Sequence, residues 1–189
     1  MITIRNETLN DIAAREALLD CAFGDARFAK TAERLRDGRL PAEGLSLIAE
    51  DNNCIVGTVR LWHVVAGPER PALLLGPLAV DDAWRGLGIG ADLMRRATEA
   101  AQELGHTAIL LVGDAPYYAR FGYSAEKTAN LWMPGPYERD RLLGVELVAG
   151  ALDGARGLIG ACGQREPKPD LAALVAGLVH SDAVAARAA

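Results

Sequence analysis

A chain of 189 residues, 50% of them hydrophobic and 5% aromatic, is long enough to bury one core and short for two. Its 20 basic and 25 acidic residues leave a net charge of −5 with no long run of either sign; that balance speaks against a nucleic-acid surface, and no apolar stretch approaches the ~20 residues of a membrane span. Met1–Asn10 lacks the basic and apolar regions of a secretory leader, and the odd, widely spaced Cys21, Cys54 and Cys162 read as ordinary half-buried thiols of a cytoplasmic protein, with no disulfide frame and no metal site.

In chain order, Ile2–Arg5 alternates as a short strand. Thr8 is placed to cap a helix over Leu9–Phe23, whose apolar positions are Leu9, Ile12, Ala13, Leu18 and Leu19. Asp25–Arg36 reads as a second helix, closed by Asp37-Gly38 and followed by Pro41. Leu45–Glu50 and Cys54–Val65 are strands joined at Asp51-Asn52-Asn53, a hairpin signal. After a turn at Gly67-Pro68, Leu73–Val80 is an apolar run that fits a buried strand. Gly76-Pro77 interrupts it, and a proline there marks an edge or a bulge.

Asp81-Asp82 and the run Arg85-Gly86-Leu87-Gly88-Ile89-Gly90 come next. They open a helix on which Ile89, Leu93, Ala97, Ala101 and Leu104 recur at helical spacing, ending at Gly105. His106–Val112 has the shape of a buried parallel strand after a crossover helix. Asp114–Arg120 is a short helix, and Ser124–Trp132 an antiparallel strand or pair. Beyond Met133 the signals thin: a turn at Pro134-Gly135-Pro136, a strand over Leu142–Val148, and Leu158–Ala161 pairing with it through Ala151–Gly157. The last segment begins at Glu166-Pro167-Lys168-Pro169, where Asp170 caps a helix with Leu171, Leu174, Val175 and Leu178 on one face. Such a face packs on its own domain or on a second subunit of a homodimer. The expected organisation is a domain over residues 1–163 and a helical extension over 164–189. The order of elements gives a mixed α/β sheet, mostly antiparallel.

The glycine run sets several backbone N–H groups at a helix N-terminus, where glycines let a phosphate approach the backbone. A ligand-free strand-to-helix turn is the plain alternative. A P-loop is excluded because Gly90 is followed by Ala91-Asp92 instead of Lys-Ser/Thr, and the G-x-G-x-G order, far into the chain, does not fit a dinucleotide fingerprint. What remains, Arg85-x-x-Gly88-x-Gly90 behind Leu78-Ala79-Val80, resembles the acetyl-CoA-binding motif of the GNAT superfamily of N-acetyltransferases, Arg/Gln-x-x-Gly-x-Gly/Ala. Downstream, Tyr118 followed four residues later by Gly122-Tyr123 is similar to that family's second signature. The resemblance covers roughly residues 1–133.

The resemblance implies a GNAT-like acyl-CoA N-acyltransferase fold whose mostly antiparallel sheet holds one splayed parallel strand pair. It implies direct transfer of acetyl from acetyl-CoA, without a metal, to a primary amine of a small-molecule or peptide acceptor. A bulge at Gly76-Pro77 would part Leu73–Val80 from His106–Val112, leaving backbone of Leu78 and Val80 for the pantetheine amides. On this basis Leu78, Ala79 and Val80 would take the pantetheine, and Arg85, Gly86, Leu87, Gly88, Ile89 and Gly90 the pyrophosphate. The Leu78 N–H would also polarise the acetyl carbonyl. Tyr118 would protonate the departing thiolate, a tyrosine near pKa 10 facing a thiol near 8.5; it and Asp114 would also border the cofactor, Asp114 standing where many members carry Asn. For a general base the residues offer Asp81, Asp82, Glu50 and His63, of which His63 has the most suitable pKa, or a water relay without one. Trp62, Trp84 and Trp132 are candidates for an acceptor pocket or for core packing. The rival from another class is a non-catalytic acyl-CoA-binding sensor or regulatory module, against which the presence of Tyr118 favours the enzyme.

Overall fold

The computed structural model describes residues 1–167, so the expected helix over Asp170–Leu178 lies outside the described residues. In chain order the elements are β1 (Thr3–Asn6), α1 (Ile12–Phe23), β2 (Ser46–Asp51), β3 (Cys54–Ala66), β4 (Pro71–Val80), α2 (Ile89–Glu103), β5 (Ala108–Val112), α3 (Ala115–Ala119), β6 (Leu131–Trp132), β7 (Leu142–Glu146) and β8 (Gly157–Ala161). The sheet runs β1-β2-β3-β4-β5-β7. Every neighbouring pair along it is antiparallel except β4 and β5, which are parallel. This is the mixed sheet expected from the order of elements. The β2–β3 hairpin turns through Asn52 (φ 49°) and Asn53 (φ 64°), both left-handed, which matches the twist of the two strands.

Two apolar layers sandwich the sheet. On one face the stripe of α2, with Ile89, Leu93, Met94, Ala97 and Ala101 buried, packs on Leu47, Val59, Leu61, Leu73 and Ile109. Gly57 on β3 lets the helix come close: a Cβ there would stand 2.9 Å from Leu93 Cδ1 and 3.2 Å from Ile89 Cγ2. The other face is covered by Leu131, Leu142, Leu152 and Ile159 around Val64, Leu74 and Leu110, and by α1, whose Leu18 and Leu19 meet Ala79 of β4.

Four expectations about the elements are corrected. The first helix begins with a 3-10 turn over Leu9–Asp11, and Leu9 and Ile12 are exposed. The inward position is instead Arg15, which is buried with its Nε donating to Glu7 at 3.1 Å, while Arg60 of β3 donates twice to the same carboxylate at 2.9 Å. A charge matched in this way is buried in place of the expected apolar side chains. The segment 25–36 is not one helix but two 3-10 turns, Asp25–Ala29 and Thr31–Leu35, parted at the extended residue Lys30. It is held by long-range bonds, Thr31 Oγ1 to Pro136 O and Arg34 Nη1 to Pro134 O at 2.9 Å. Ser124–Trp132 keeps only a bridge from Ser124 to Gly144 and the two-residue β6, with a 3-10 turn over Glu126–Thr128 between them. Finally, β8 does not pair with β7. β3 outruns β2, and its free end, Val64–Ala66, takes β8 antiparallel, while β6 joins β8 in parallel.

Residues 164–166 return to the body: Leu40 N donates to Gln164 O at 2.8 Å and Glu166 N to Gly38 O at 3.0 Å. The three cysteines are free and exposed, less buried than expected.

The entry to α1 depends on one carboxylate. Asp11 accepts from Arg5 Nη1 and Nη2 at 2.7 and 2.9 Å and from Thr8 N and Oγ1 at 2.7 and 2.8 Å, while Arg5 also reaches Glu50 of β2. The Arg5 guanidinium, with the Thr8 N–H, holds the Asp11 carboxyl well below the usual carboxylate range. Because the folded value lies below the unfolded one, this stabilisation is complete above the unfolded pKa near 3.9 and fades as pH falls through the folded value. Asp11→Asn is therefore expected to lower stability by about 1–2 kcal/mol at neutral pH. The gap to wild type should narrow in urea titrations repeated at about pH 3. A gap that stays constant with pH would show that the charge of Asp11 is not what stabilises the turn.

Candidate active site

The parallel pair β4–β5 is joined at Leu73↔Ile109 and Leu74↔Leu110 and then parts. The cause lies on the other side of β4. Leu75 faces Leu61 and Leu78 faces Val59, so β4 takes three steps where β3 takes two, and the extra residue falls at Gly76-Pro77. The bulge expected there is present. Trp62 pins it, its Nε1 donating to Gly76 O at 2.7 Å. Past this point the strands enclose a cleft of about 1090 Å³, with Leu78, Ala79 and Val80 on one wall and Gly113, Asp114, Tyr117 and Tyr118 on the other.

At one end lies the glycine loop. Asp81 Oδ1 accepts from Ala83 N at 2.9 Å, and Asp82 pairs with Arg85 at 2.7 Å. Gly86 and Gly88 have φ of +81° and +85°, and a Cβ on either would meet nothing within 4 Å. Gly88 caps α2 without a side-chain bond. Among the described residues the N–H groups of residues 86–90 donate to no backbone or side-chain acceptor; the first paired amides beyond them are those of Ala91 and Asp92, on Gly88 O. An open row of donors at the positive end of a 15-residue helix is a seat for an anion. Arg85, Gly86, Gly88, Ile89 and Gly90 line the cleft, whereas Leu87 does not and is 62% exposed.

The opposite wall is set by α3. Asp114 precedes it, and its carbonyl accepts from the N–H of Tyr117 at 3.0 Å and of Tyr118 at 3.1 Å. The two tyrosine rings meet edge to face, centroids 4.9 Å apart, and part in direction. Tyr117 aims at the loop, its hydroxyl 3.2 Å from where a Cβ of Gly90 would stand, and Arg120 lies over its ring at 4.1 Å. Tyr118 lies against Gly113, where a Cβ would come within 2.2 Å of its ring. Burial, reinforced by Tyr117 and Asp114 and opposed by Arg141, pushes the Tyr118 hydroxyl up to about 12. It therefore stays protonated throughout the working pH range.

None of the residues weighed as a general base borders the cleft. Asp81 and Asp82 are spent on the loop, Glu50 accepts from Arg5, and the His63 ring packs 5.4 Å from that of His106. Among the described residues the cleft carboxylates are Asp114 and Glu138. Of the tryptophans, Trp84 lines the cleft, Trp62 supports the bulge, and Trp132 is exposed under Arg139. Sequence reasoning missed the basic side chains of the far end, Lys30, Arg36 and Arg141. The signal available was the density of cations between Arg27 and Arg39; a helix over 25–36 would have scattered them around its circumference, whereas the broken turns bring several to one wall.

Residues 42–125 match the family model of the acetyltransferase (GNAT) domain. The chain is 29% identical over 157 residues to YhbS of Escherichia coli K12, described as an uncharacterized N-acetyltransferase, covering 82% of this chain and 93% of the relative. The crystal structure of the E. coli YhbS protein, a GNAT family N-acetyltransferase in complex with CoA, superposes with a TM-score of 0.73 at 30% identity, covering 85% of this chain and 89% of the other. A GNAT family acetyltransferase from Brucella melitensis, in complex with acetyl-CoA, matches with a TM-score of 0.58 at 26% identity, covering 81% and 99%. These relatives match over most of their own length and in fold, and the chain belongs to the GNAT family of N-acetyltransferases.

Proposed function

We propose that this protein transfers an acetyl group from acetyl-CoA directly to a primary amine of its acceptor. The observation that carries this reading is that one continuous cleft joins the unpartnered backbone N–H groups of the glycine loop to a half-buried, protonated tyrosine. Acetyl-CoA supplies an activated thioester and two kinds of polar group to hold, a pyrophosphate and a chain of amides. The residues present fit both. The open amides of Gly86–Gly90 would take the pyrophosphate, with Arg85 beside it; Leu87 would contribute only its backbone. Leu78, Ala79 and Val80, left without β5 beside them, would meet the amides as an added strand does. The Leu78 N–H would stabilise charge on the acetyl oxygen.

Tyr118 would give its proton to the departing sulfur. A hydroxyl held near 12 is a weak acid against a thiolate whose conjugate acid lies near 8.5 in water. Complete transfer is therefore coupled to loss of a proton from the attacking nitrogen, and Tyr118 works as a relay between nitrogen and sulfur instead of a stand-alone acid. Its burial serves this role by preventing ionisation. The same hydroxyl argues for catalysis over mere cofactor binding, since a binding module gains nothing from a protonated donor at that position.

Two outcomes test the reading. Gly88→Val places a branched side chain in the anion seat, and calorimetry should show acetyl-CoA affinity falling by at least about tenfold. Circular dichroism checks that α2 persists in the variant; equal affinity in a folded variant would remove the loop from cofactor binding.

Tyr118→Phe retains the ring and its packing on Gly113, so acetyl-CoA affinity should hold while kcat falls by about 10²–10⁴-fold. Tyr117→Phe, whose hydroxyl points to the loop, should change KM for acetyl-CoA more than kcat. Comparable kcat in wild type and Tyr118→Phe would exclude the tyrosine from proton transfer.

A further inference from the structure

We propose that the acceptor is an amine that carries an acid group of its own, a carboxylate or a phosphate, seated between Lys30, Arg36 and Arg141. The inference rests on the acyl-transfer reading and adds to it the chemistry of the acceptor. Arg36 is only 8% exposed, yet it lines the cleft. Its Nη2 pairs with Glu33 at 2.9 Å, its Nε has no partner, and its Nη1 stands 3.8 Å from the position of a Cβ on Gly76. A buried guanidinium with an unpartnered donor, beside the point where the strands part, is suited to an anionic group entering the cleft.

Arg141 lines the same cleft beside Gly113. Its Nε lies 3.4 Å from Gly113 O, next to Tyr118, and its Nη1 3.4 Å from Glu138; at those lengths both bonds are weak. Lys30 completes the group. Its ammonium lies 4.3 Å over the Phe23 ring, and among the described residues no carboxylate comes within 4.0 Å of it. Burial, with the like charges of Arg36 and Arg141, depresses its pKa, so Lys30 lies within the field of both arginines. A self-repelling cluster of this kind is relieved by an anion. On the proposed reading the pyrophosphate of acetyl-CoA takes the glycine loop, which leaves these cations for the acceptor.

The same field bears on the attacking nitrogen. An amine must lose its proton before it attacks, and among the described residues no histidine lines the cleft. Neighbouring cations disfavour the ammonium form and raise the neutral fraction, while the acid group keeps the molecule bound despite that repulsion. Polyamines, cationic throughout, are disfavoured on both counts.

Calorimetry on the CoA-bound full-length protein tests this with matched pairs: β-alanine against ethylamine, O-phosphoethanolamine against ethanolamine, with spermidine as the polycation. Thiol release from acetyl-CoA is followed in parallel. The acid-bearing member of at least one pair should bind roughly 10–100-fold more tightly, and the pair that responds separates carboxylate from phosphate. Lys30→Met and Arg141→Met should each remove most of that preference while acetyl-CoA affinity holds. Equal or better binding of the acid-free member in both pairs, or tighter binding of spermidine than of either acid-bearing amine, would overturn the proposal. So would a preference that survives both substitutions, or a loss of acetyl-CoA affinity in both, which would assign the cations to the donor. Acid-dependent binding without thiol release would support the anion seat and count instead against the acyl-transfer reading; rapid release with neutral amines would do the reverse.

Discussion

One residue too many on β4 organises this molecule. By inserting Gly76-Pro77 against β3, the strand keeps its apolar half in register with β5 and turns its second half away. Each ladder hydrogen bond forgone leaves roughly 0.5–1.5 kcal/mol unclaimed, and the closed half offsets it: Leu73, Leu74, Ile109 and Leu110 are at most 1% exposed, locked between the two core layers. Trp62 holds the kink from behind through the Gly76 carbonyl. The cleft is thus a consequence of strand register, stabilised by core packing well away from its ligands.

Close packing carries this geometry to the loop. Gly57 admits Ile89 and Leu93 to the sheet surface, which fixes the first turn of α2 and aims its free amides along the cleft. On the opposite face, Glu7 is gripped by Arg15 from α1 and by Arg60 from β3, a buried pairing that ties helix to sheet. Removing the carboxylate would leave two guanidinium groups facing each other with nothing between them, the costly way to break such a network. The glycine loop and the strand bulge are therefore held by packing, a hydrogen bond and an ion pair that lie outside the cleft.

Much of this was legible in the residues. Alternation, the Asn52-Asn53 turn, the proline-broken strand and the periodicity of Ile89–Ala101 each carry a local signal, and they mark the hairpin, the bulge and the crossover helix. The two tyrosines were separable in the same way, by helical geometry. What the residues did not show depends on distant partners. Arg15 points inward only because Glu7 and Arg60 meet it there. The turns at 25–36 are shaped by bonds to Pro134 and Pro136, a hundred residues away in sequence, and no periodicity records them. β8 chose the free end of β3 over β7 for a reason of strand length. The cations of the cleft escaped notice because their convergence belongs to those same long-range contacts.

The bonds from Thr31 and Arg34 to the 134–136 turn have a further consequence. They join two irregular segments to each other across the far end of the cleft, outside the ladder that shapes the bulge and the glycine loop. On the proposed reading, the half of the site that meets the donor is encoded in the sheet and α2, and the half that meets the acceptor in a strip of surface with no regular register to preserve. Exchanges at the exposed positions of that strip leave the strand ladder undisturbed, so on the proposed reading selection is free to redraw acceptor preference while the loop and the bulge are inherited intact.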